Sequence, residues 1–213
     1  MALSDMFIQK SRLLFVVSAP SGTGKTSLCR EAVRQVPHLG FSVSHTTRPS
    51  RQGEDHGSNY YFVSCRAFEH MIARQQMAEW TEIYGNRYGT ARQTIEREFE
   101  RGCDLLFDID ERGARQLLKL YPALVTILVL PPSLDVLRTR LVERGTDDRE
   151  VVQRRLKRAE EEVKSMSWYR YVIVNDRFDD ALEKLKAIII AERCRRTQDA
   201  AEAGSDETDD RQG

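Results

Sequence analysis

The chain has 213 residues, 40% of them hydrophobic and 31% charged, so its length suits one domain with appended lobes, or two small ones. This composition excludes a disordered or fibrous chain, and 33 lysines and arginines against 33 acids argue against nucleic-acid binding through net charge. The longest apolar run, 123–130, is far shorter than the ~20 residues of a membrane helix. The first six residues lack the features of a secretion signal, so we expect neither secretion nor membrane insertion.

The distribution of charges and cysteines is more informative than their totals. Residues 199–213 carry a net charge of −5, which leaves +5 on residues 1–198. Arginines outnumber lysines 26 to 7, which suits phosphate recognition but also follows from a base composition that favours arginine codons. The scattered cysteines and histidines lack Cys-x-x-Cys pairs and metal-ligand spacing, which predicts reduced thiols, a cytoplasmic location and no structural metal. The cysteines are Cys29, Cys65, Cys103 and Cys194.

The first element along the chain is a strand followed by a loop and a helix. The apolar, β-branched run 13–18 predicts a buried strand, and the apolar spacing within 26–36 predicts a helix that Pro37 ends. Between them lie Ala19, Pro20, Ser21, Gly22, Thr23, Gly24, Lys25 and Thr26. A strand, a glycine-containing loop and a helix form the opening unit of a doubly wound α/β fold.

This loop has the pattern of a phosphate-binding loop. Its backbone N–H groups and the following helix N-terminus would hold phosphates, Lys25 would reach the β- and γ-oxygens, and the Thr26 hydroxyl would ligate Mg²⁺. The strict pattern has glycine where this chain has Ala19, so we expect a modified loop that still functions. The alternative interpretation is an ordinary glycine-rich turn.

The rest of the chain predicts more strands and helices of an α/β fold. Between 41 and 88 the character changes to a β-rich insert, with strand candidates at 41–44 and 60–63 around a polar loop. Buried strands are predicted near 103–110, 125–130 and 171–175, and helices at 93–100 and 181–193. The segment 135–164 predicts a charged helix interrupted near 145–148.

Two carboxylates follow the strand candidate near 103–110. Asp108 and Asp110 are two residues apart, so on a strand both side chains would point the same way at its carboxyl end, where open α/β sheets bind ligands. Asp108 could then hold Mg²⁺ through water, and Asp110 could accept hydrogen bonds from a substrate. The alternative for two acids after a strand is a helix N-cap and a turn. The phosphate-binding loop upstream favours the functional interpretation.

The segment 44–54 carries two arginines, Arg48 and Arg51, with tyrosines nearby. Two such arginines can clamp a phosphate monoester by charge-assisted hydrogen bonds. Taken alone, the segment is equally a solvated polar loop.

Five motifs together resemble the guanylate kinase family. In chain order they lie at 18–26, 44–54, 85–90, 108–110 and 172–176. Their order and their span, about 13–193, are more specific than any one of them. The resemblance implies an α/β P-loop kinase fold, with a doubly wound parallel sheet core, an inserted β-rich GMP-binding lobe and a helical lid. The implied parts are an arm at 1–12, a core at 13–42, 94–134 and 165–195, the GMP-binding lobe at 43–93, the lid at 135–164 and a disordered acidic tail at 196–213.

The resemblance also implies roles for individual residues. The residues implied for the GMP phosphate are Arg48, Arg51, Tyr60 and Tyr88, and those for guanine are Ser44, Glu79, Thr90 and Asp110. The arginines implied for the ATP phosphates are Arg140, Arg144 and Arg155, with Asn175 beside the adenine. A carboxylate such as Glu79 can accept from guanine N1–H and N2–H₂, and the Ser44 hydroxyl can donate to O6, whereas adenine offers the opposite pattern.

The implied activity is reversible transfer of the γ-phosphoryl group from ATP to GMP, with dGMP expected as a second acceptor. Lys25, Arg140 and Arg155 are the implied catalytic residues, and Mg²⁺ is expected with ATP. One departure from the family pattern is Glu111-Arg112, where the family has an apolar residue and glutamine. That pair would either alter the edge of the nucleotide site or pair with the lid.

Three other functions compete with this interpretation. A non-catalytic guanylate-kinase-like module would have lost the phosphate-binding loop, yet Lys25, Thr26, Arg48 and Arg51 are all present. A related phosphotransferase such as ribose bisphosphate phosphokinase would not need the residues implied for guanine. Nucleic-acid binding through arginine is disfavoured by the neutral net charge and the lack of a basic stripe.

Overall fold

The structure, a computed structural model, describes residues 12–143, 149–164 and 166–195. The strands are β1 (Leu14–Ser18), β2 (Leu39–Phe41), β3 (His45–Thr46), β4 (Tyr61–Phe62), β5 (Met77–Ile83), β6 (Asn86–Ala91), β7 (Asp104–Asp108), β8 (Val125–Leu130) and β9 (Tyr171–Val174). The α-helices are α1 (Lys25–Gln35), α2 (Cys65–Ala73), α3 (Arg92–Glu100), α4 (Glu111–Leu120), α5 (Leu134–Glu143), α6 (Arg149–Lys164) and α7 (Phe178–Cys194).

The core is a parallel five-stranded sheet in the order β2-β7-β1-β8-β9. Strand β1 reads Leu-Phe-Val-Val-Ser and is buried throughout, since helices cover both faces of the sheet. Phe15 and Val17 pack with side chains of α1 and α7, whereas Leu14 and Val16 pack with those of α3 and α4. The carboxyl ends of β1 and β7 therefore lie side by side at one edge of the sheet.

A second sheet of four strands, in the order β4-β3-β6-β5, lies between β2 and α3 along the chain. Strand β6 pairs antiparallel with both β5 and β3, and β3 pairs parallel with β4. Tyr84 and Gly85 join β5 to β6 with φ of 50° and 75°, the left-handed pair that a two-residue hairpin turn requires. This sheet confirms a β-rich insert in the predicted place, and the domain boundaries themselves stay predictions.

Helices α5 and α6, which we call the lid, have a small apolar cluster of their own. Leu137 and Leu141 of α5 pack with Val152, Leu156 and Ala159 of α6. The lid therefore holds together through side chains that do not belong to the two main clusters of the core.

The predicted fold class is confirmed, with corrections to individual elements. The alternating run 41–44 is not one strand, because β2 ends in the core sheet at Phe41 and β3 begins the second sheet at His45. Strands β5 and β6 and helices α2 and α4 were not predicted, and α7 begins three residues earlier than expected. The interruption predicted at 145–148, the arm up to residue 11 and the tail at 196–213 lie outside the described residues.

No helix among the described residues is long and apolar enough to span a membrane.

Candidate active site

A cavity of about 730 Å³ opens at the carboxyl ends of β1 and β7. Three parts of the chain line it: the loop after β1, the second sheet and the lid. The position agrees with the rule that ligands of open α/β sheets bind beyond the carboxyl ends of the strands, beside the central strand.

The loop from Ala19 to Gly24 has the geometry of a phosphate cradle. Gly22 and Gly24 have φ of 95° and 85°, which side-chain-bearing residues rarely adopt, so glycine is required at both positions. The Thr23 hydroxyl donates to the Pro20 carbonyl at 2.9 Å and fixes the turn. Ala19 is not among the residues with positive φ, so the backbone conformation at this position does not require glycine.

Lys25 and Thr26 begin helix α1 and converge on Asp108 at the end of β7. Nζ of Lys25 lies 2.7 Å from Oδ1 of Asp108 and donates to the Ile109 carbonyl at 2.9 Å. The Thr26 hydroxyl donates to the other oxygen of Asp108 at 2.6 Å. Burial lowers the pKa of Lys25, but Asp108 more than offsets it, so the pKa is raised and the ammonium group stays charged.

Two lid arginines reach the phosphate-binding loop and its surroundings. Nη1 of Arg155 donates to Oγ of Ser21 at 3.2 Å. Arg140 donates to the backbone carbonyls of Asn175 and Asp176, at 3.1 and 3.3 Å, and its side chain also lines the cavity. Arg144 was predicted to act with them but lies outside the described residues.

The lid contributes further charged residues that the sequence analysis did not select. Arg158 donates to Oδ2 of Asp110 at 3.2 Å and to Glu162 at 3.0 Å, and both residues line the cavity. Burial raises the pKa of Glu162, an effect that Arg158 opposes. The sequence carried a signal for these residues: Arg158 and Glu162 follow Arg155 by three and seven positions. Residues at these spacings lie on the same face of a helix.

The loop between β3 and β4 is organised by Glu54. Its carboxylate accepts from Nη2 of Arg48 at 2.8 Å and from the backbone N–H of Arg51 at 2.8 Å. The Arg48 guanidinium also lies over the rings of Tyr60 and Phe62, 5.5 and 5.8 Å from their centroids. Glu54, which the sequence did not single out, therefore holds the side chain of Arg48 and the backbone of Arg51.

The far wall of the cavity contains a buried carboxylate, that of Glu79 on β5. Its side chain is 3% exposed, and Oε1 has no hydrogen-bond partner of good geometry among the described residues. Burial raises the pKa of Glu79 to about 7, although the neighbouring Thr90 opposes that shift. An unsatisfied buried acceptor facing a cavity is suited to a ligand that brings N–H donors.

Asp110 has two structural positions at once, in the cavity wall and at the start of a helix. It lines the cavity, and it is also the N-cap of α4, since Oδ1 accepts from the backbone N–H of Gly113 at 3.0 Å. Arg112 contacts the other oxygen at 3.4 Å and donates to the Glu82 carbonyl of β5 at 2.7 Å. Arg112 thus joins the core helix α4 to strand β5 of the second sheet.

Most of the predicted site residues line this one cavity. Those that do are Ala19, Pro20, Ser21, Gly22, Thr23, Gly24, Lys25, Thr26, Ser44, Arg51, Tyr60, Glu79, Tyr88, Asp108, Asp110, Arg140 and Arg155. Arg48, Thr90 and Asn175 are not part of the lining. Asn175 is buried, and its amide donates to the Thr23 carbonyl at 2.6 Å, beneath the phosphate-binding loop. The roles assigned to these residues stay predictions.

Comparison with known proteins gives one consistent family. The model of the family described as guanylate kinase matches residues 11–192. The guanylate kinases of Geobacter metallireducens and Geobacter sulfurreducens are 47% and 48% identical over 188 residues, which is 88% of this chain and 93% of each relative. The crystal structure of guanylate kinase from Anaplasma phagocytophilum superposes with a TM-score of 0.70 at 31% identity, covering 86% of this chain and 87% of that one.

Proposed function

The chain belongs to the guanylate kinase family, and we propose that it catalyses the reversible transfer of the γ-phosphoryl group of ATP to GMP, giving ADP and GDP. One observation carries the proposal from this chain's own residues. A single cavity is lined both by Lys25, which follows the loop 19–24, and by Glu79, whose buried Oε1 has no hydrogen-bond partner among the described residues. The first suits the phosphates of a donor and the second suits the base of an acceptor.

On the donor side, we propose that the loop 19–24 and Lys25 bind the ATP phosphates. Asp108 and the Ile109 carbonyl hold the Lys25 ammonium group at the wall of the cavity, so its position is set before a phosphate binds. Arg140 and Arg155 add positive charge from the lid. Since phosphoryl transfer leaves little covalent work to the protein, positioning and charge neutralisation by these groups supply the rate enhancement.

On the acceptor side, we propose that Arg48, Arg51, Tyr60 and Tyr88 bind the GMP phosphate. The ion pair between Arg48 and Glu54, 2.8 Å apart, joins two parts of this loop and favours a preorganised conformation. The rings of Tyr60 and Tyr88 contact each other edge to face with centroids 5.9 Å apart, and both residues line the cavity together with Arg51. A phosphate monoester has the charge and the acceptors that these groups require.

We propose that Glu79, with Ser44, Thr90 and Asp110, selects guanine. Guanine presents the donors N1–H and N2–H₂ side by side, and the carboxylate of Glu79 has acceptors for both. Adenine lacks this pair of donors and would leave the buried carboxylate unpaired, which is a costly arrangement. GMP, and dGMP with the same base, are therefore the expected acceptors.

The donor set at the end of β7 fits Mg²⁺. The Thr26 hydroxyl and the Asp108 carboxylate are hard oxygen ligands 2.6 Å apart, and Mg²⁺ in phosphoryl-transfer enzymes takes one or two protein oxygens together with phosphates and water. Thr26 would ligate the ion directly and Asp108 through water. When bound with ATP, the ion would neutralise charge on the phosphates. Lys25 stays protonated beside Asp108 and contributes its own charge independently of the ion.

The cytoplasm is the compartment we propose for this activity. All four cysteines are free, and Cys29 is buried, as expected for a protein kept in a reducing environment. The substrates, ATP and GMP, would then be the proposed partners.

A substrate panel tests the proposal. ADP formation from ATP and Mg²⁺ should be measured with GMP, dGMP, AMP, UMP, CMP and ribose bisphosphate as acceptors. Turnover with GMP and dGMP alone supports both the reaction and the proposed guanine selection. Turnover with ribose bisphosphate alone overturns the acceptor, and GMP binding without turnover with any acceptor overturns the enzyme in favour of a binding module.

A further inference from the structure

Glycine at position 113 is explained by the carboxylate of Glu79. A Cβ built on Gly113 would contact Oε2 of Glu79 far inside the van der Waals distance, and would lie 3.2 Å from Cδ of the same side chain. Gly113 is in the first turn of α4, three residues after the N-cap Asp110, and Glu79 comes from β5 of the second sheet. The two residues are 34 positions apart in sequence and touch only because the second sheet packs on α4.

Backbone conformation gives no reason for a glycine here. Gly113 lies in a regular α-helix and is not among the glycines with positive φ. Alanine is a better helix former than glycine, so helix stability alone favours a side chain at this position. The reason is steric: the end of the Glu79 side chain occupies the place that a Cβ at position 113 would take.

If a methyl group is added at position 113, either the helix backbone or the Glu79 carboxylate must move. Gly113 is fixed by the helix and by its N–H bond to Asp110, whereas the Glu79 carboxylate is the far end of a flexible side chain. Oε1, the oxygen that does not meet the added methyl group, has no hydrogen-bond partner in the part of the chain that the structure describes. A methyl group at 113 therefore moves the carboxylate and leaves the helix in place.

We propose that Gly113 is a positioning residue for base selection: by lacking a side chain, it sets where the Glu79 carboxylate lies and so which purine the cavity accepts. This inference rests on the proposed role of Glu79 in binding guanine. Gly113 itself touches no reacting group. It acts through Glu79, and its effect belongs to the recognition of the base rather than to phosphoryl transfer.

The test is the kinetics of Gly113→Ala. KM for GMP should rise about 10- to 100-fold, the range expected for losing a hydrogen bond to a charged group, while KM for ATP changes less than about twofold. Discrimination between GMP and IMP should narrow, because IMP lacks the N2 amino group and has one hydrogen bond fewer to lose. The melting temperature should stay level or rise, since alanine favours the helix.

Gly40→Ala is a matched control. A Cβ on Gly40, in β2 at the edge of the core sheet, would lie 2.8 Å from Oε2 of Glu98, so the same substitution forces the same kind of carboxylate to move. Neither residue lines the cavity. Gly40→Ala should leave KM for GMP and the GMP:IMP ratio unchanged. An equal rise of KM for GMP in this control would overturn the inference, because strain anywhere in the core would then suffice.

A double-mutant cycle separates this inference from the function on which it rests. In a Glu79→Ala background the collision is gone, so adding Gly113→Ala should change KM for GMP less than about twofold. A full further rise in that background overturns the positioning role. If Glu79→Ala alone leaves KM for GMP unchanged, the proposed guanine contact fails and the inference with it. If Glu79→Ala raises KM but Gly113→Ala does not, only the inference fails.

Discussion

Nη2 of Arg158, on the lid helix α6, lies 3.2 Å from Oδ2 of Asp110, the residue that caps the core helix α4. The same arginine donates to Glu162 on its own helix at 3.0 Å. The side chain of Asp110 is 12% exposed and that of Arg158 is 36% exposed, so the pair is partly shielded from water. This contact joins the lid to the part of the core that lines the proposed GMP site.

We expect Arg158→Ala to weaken the contact between the lid and the core. The loss should lower kcat/KM for GMP about fivefold, or roughly 1 kcal/mol, the upper part of the range for a half-exposed ion pair. Arg154→Ala is the control, since Arg154 lies on the same helix and is exposed. Steady-state kinetics of both variants check the prediction, and equal losses in the two would show that net lid charge, not the contact with Asp110, is responsible.

Lys25→Met should abolish most of the phosphoryl transfer. We expect kcat to fall about 10²- to 10³-fold, as when one preorganised donor to a transition-state oxygen is removed. Binding of GMP, measured by calorimetry, should be little changed because Lys25 belongs to the donor side. Lys184→Met, at an exposed lysine of α7, is the matched control. A loss in kcat of less than tenfold would contradict a role for Lys25 in the transition state.

The pKa of Glu79, raised to about 7 chiefly by burial, predicts pH-dependent GMP binding. Asp110 raises this pKa further and Lys25 lowers it. Only the ionised carboxylate can accept from both guanine donors, so KM for GMP should rise about tenfold between pH 8 and pH 6, where the protonated acid predominates. In the Glu79→Gln variant, KM for GMP should depend on pH only through the titration of GMP itself. An unchanged profile in that variant would assign the pH dependence to another group.

The same raised pKa predicts that Glu79 costs the free protein stability at alkaline pH. The folded-state pKa lies above the unfolded value, so its favourable contribution is complete below about pH 4.5 and is lost as the pH rises through about 7. Glu79→Gln should therefore stabilise the ligand-free protein at pH 8 by about 2–3 kcal/mol. Denaturant unfolding at pH 8 and pH 5 measures this, and an equal gain at both pH values would point to packing instead.

Glu54 should prove as important for GMP as the arginines it holds. Removing its carboxylate in Glu54→Ala frees the side chain of Arg48 and the N–H of Arg51, so the loop loses its preorganised form. We expect KM for GMP to rise about fivefold with kcat nearly constant. Asp55→Ala, at the exposed neighbouring acid, should behave as the unaltered protein in the same assay.

The sequence predicted correctly those elements whose residues are adjacent in the chain. The buried run of β1, the loop 19–24 and the first residues of α1 are adjacent in the chain, so apolar pattern and glycine spacing identify them directly. Strand β5 was missed because its sequence, Met-Ala-Glu-Trp-Thr-Glu-Ile, lacks a clear β pattern and places a buried glutamate where polar residues normally face water.

The sequence by itself determined which candidate elements are present: a strand, loop and helix suited to phosphates, two acids after a later strand, and arginines in an inserted lobe. Only the tertiary structure decided how they are used, because the deciding contacts join residues far apart in the chain. Lys25, the first residue of α1, meets Asp108 at the end of β7, and Arg158 reaches Asp110 from the lid. The carboxylate of Glu79 occupies the space that a side chain at Gly113 would need. Because the two residues are 34 positions apart in sequence, neither local propensity nor periodicity can reveal this steric exclusion.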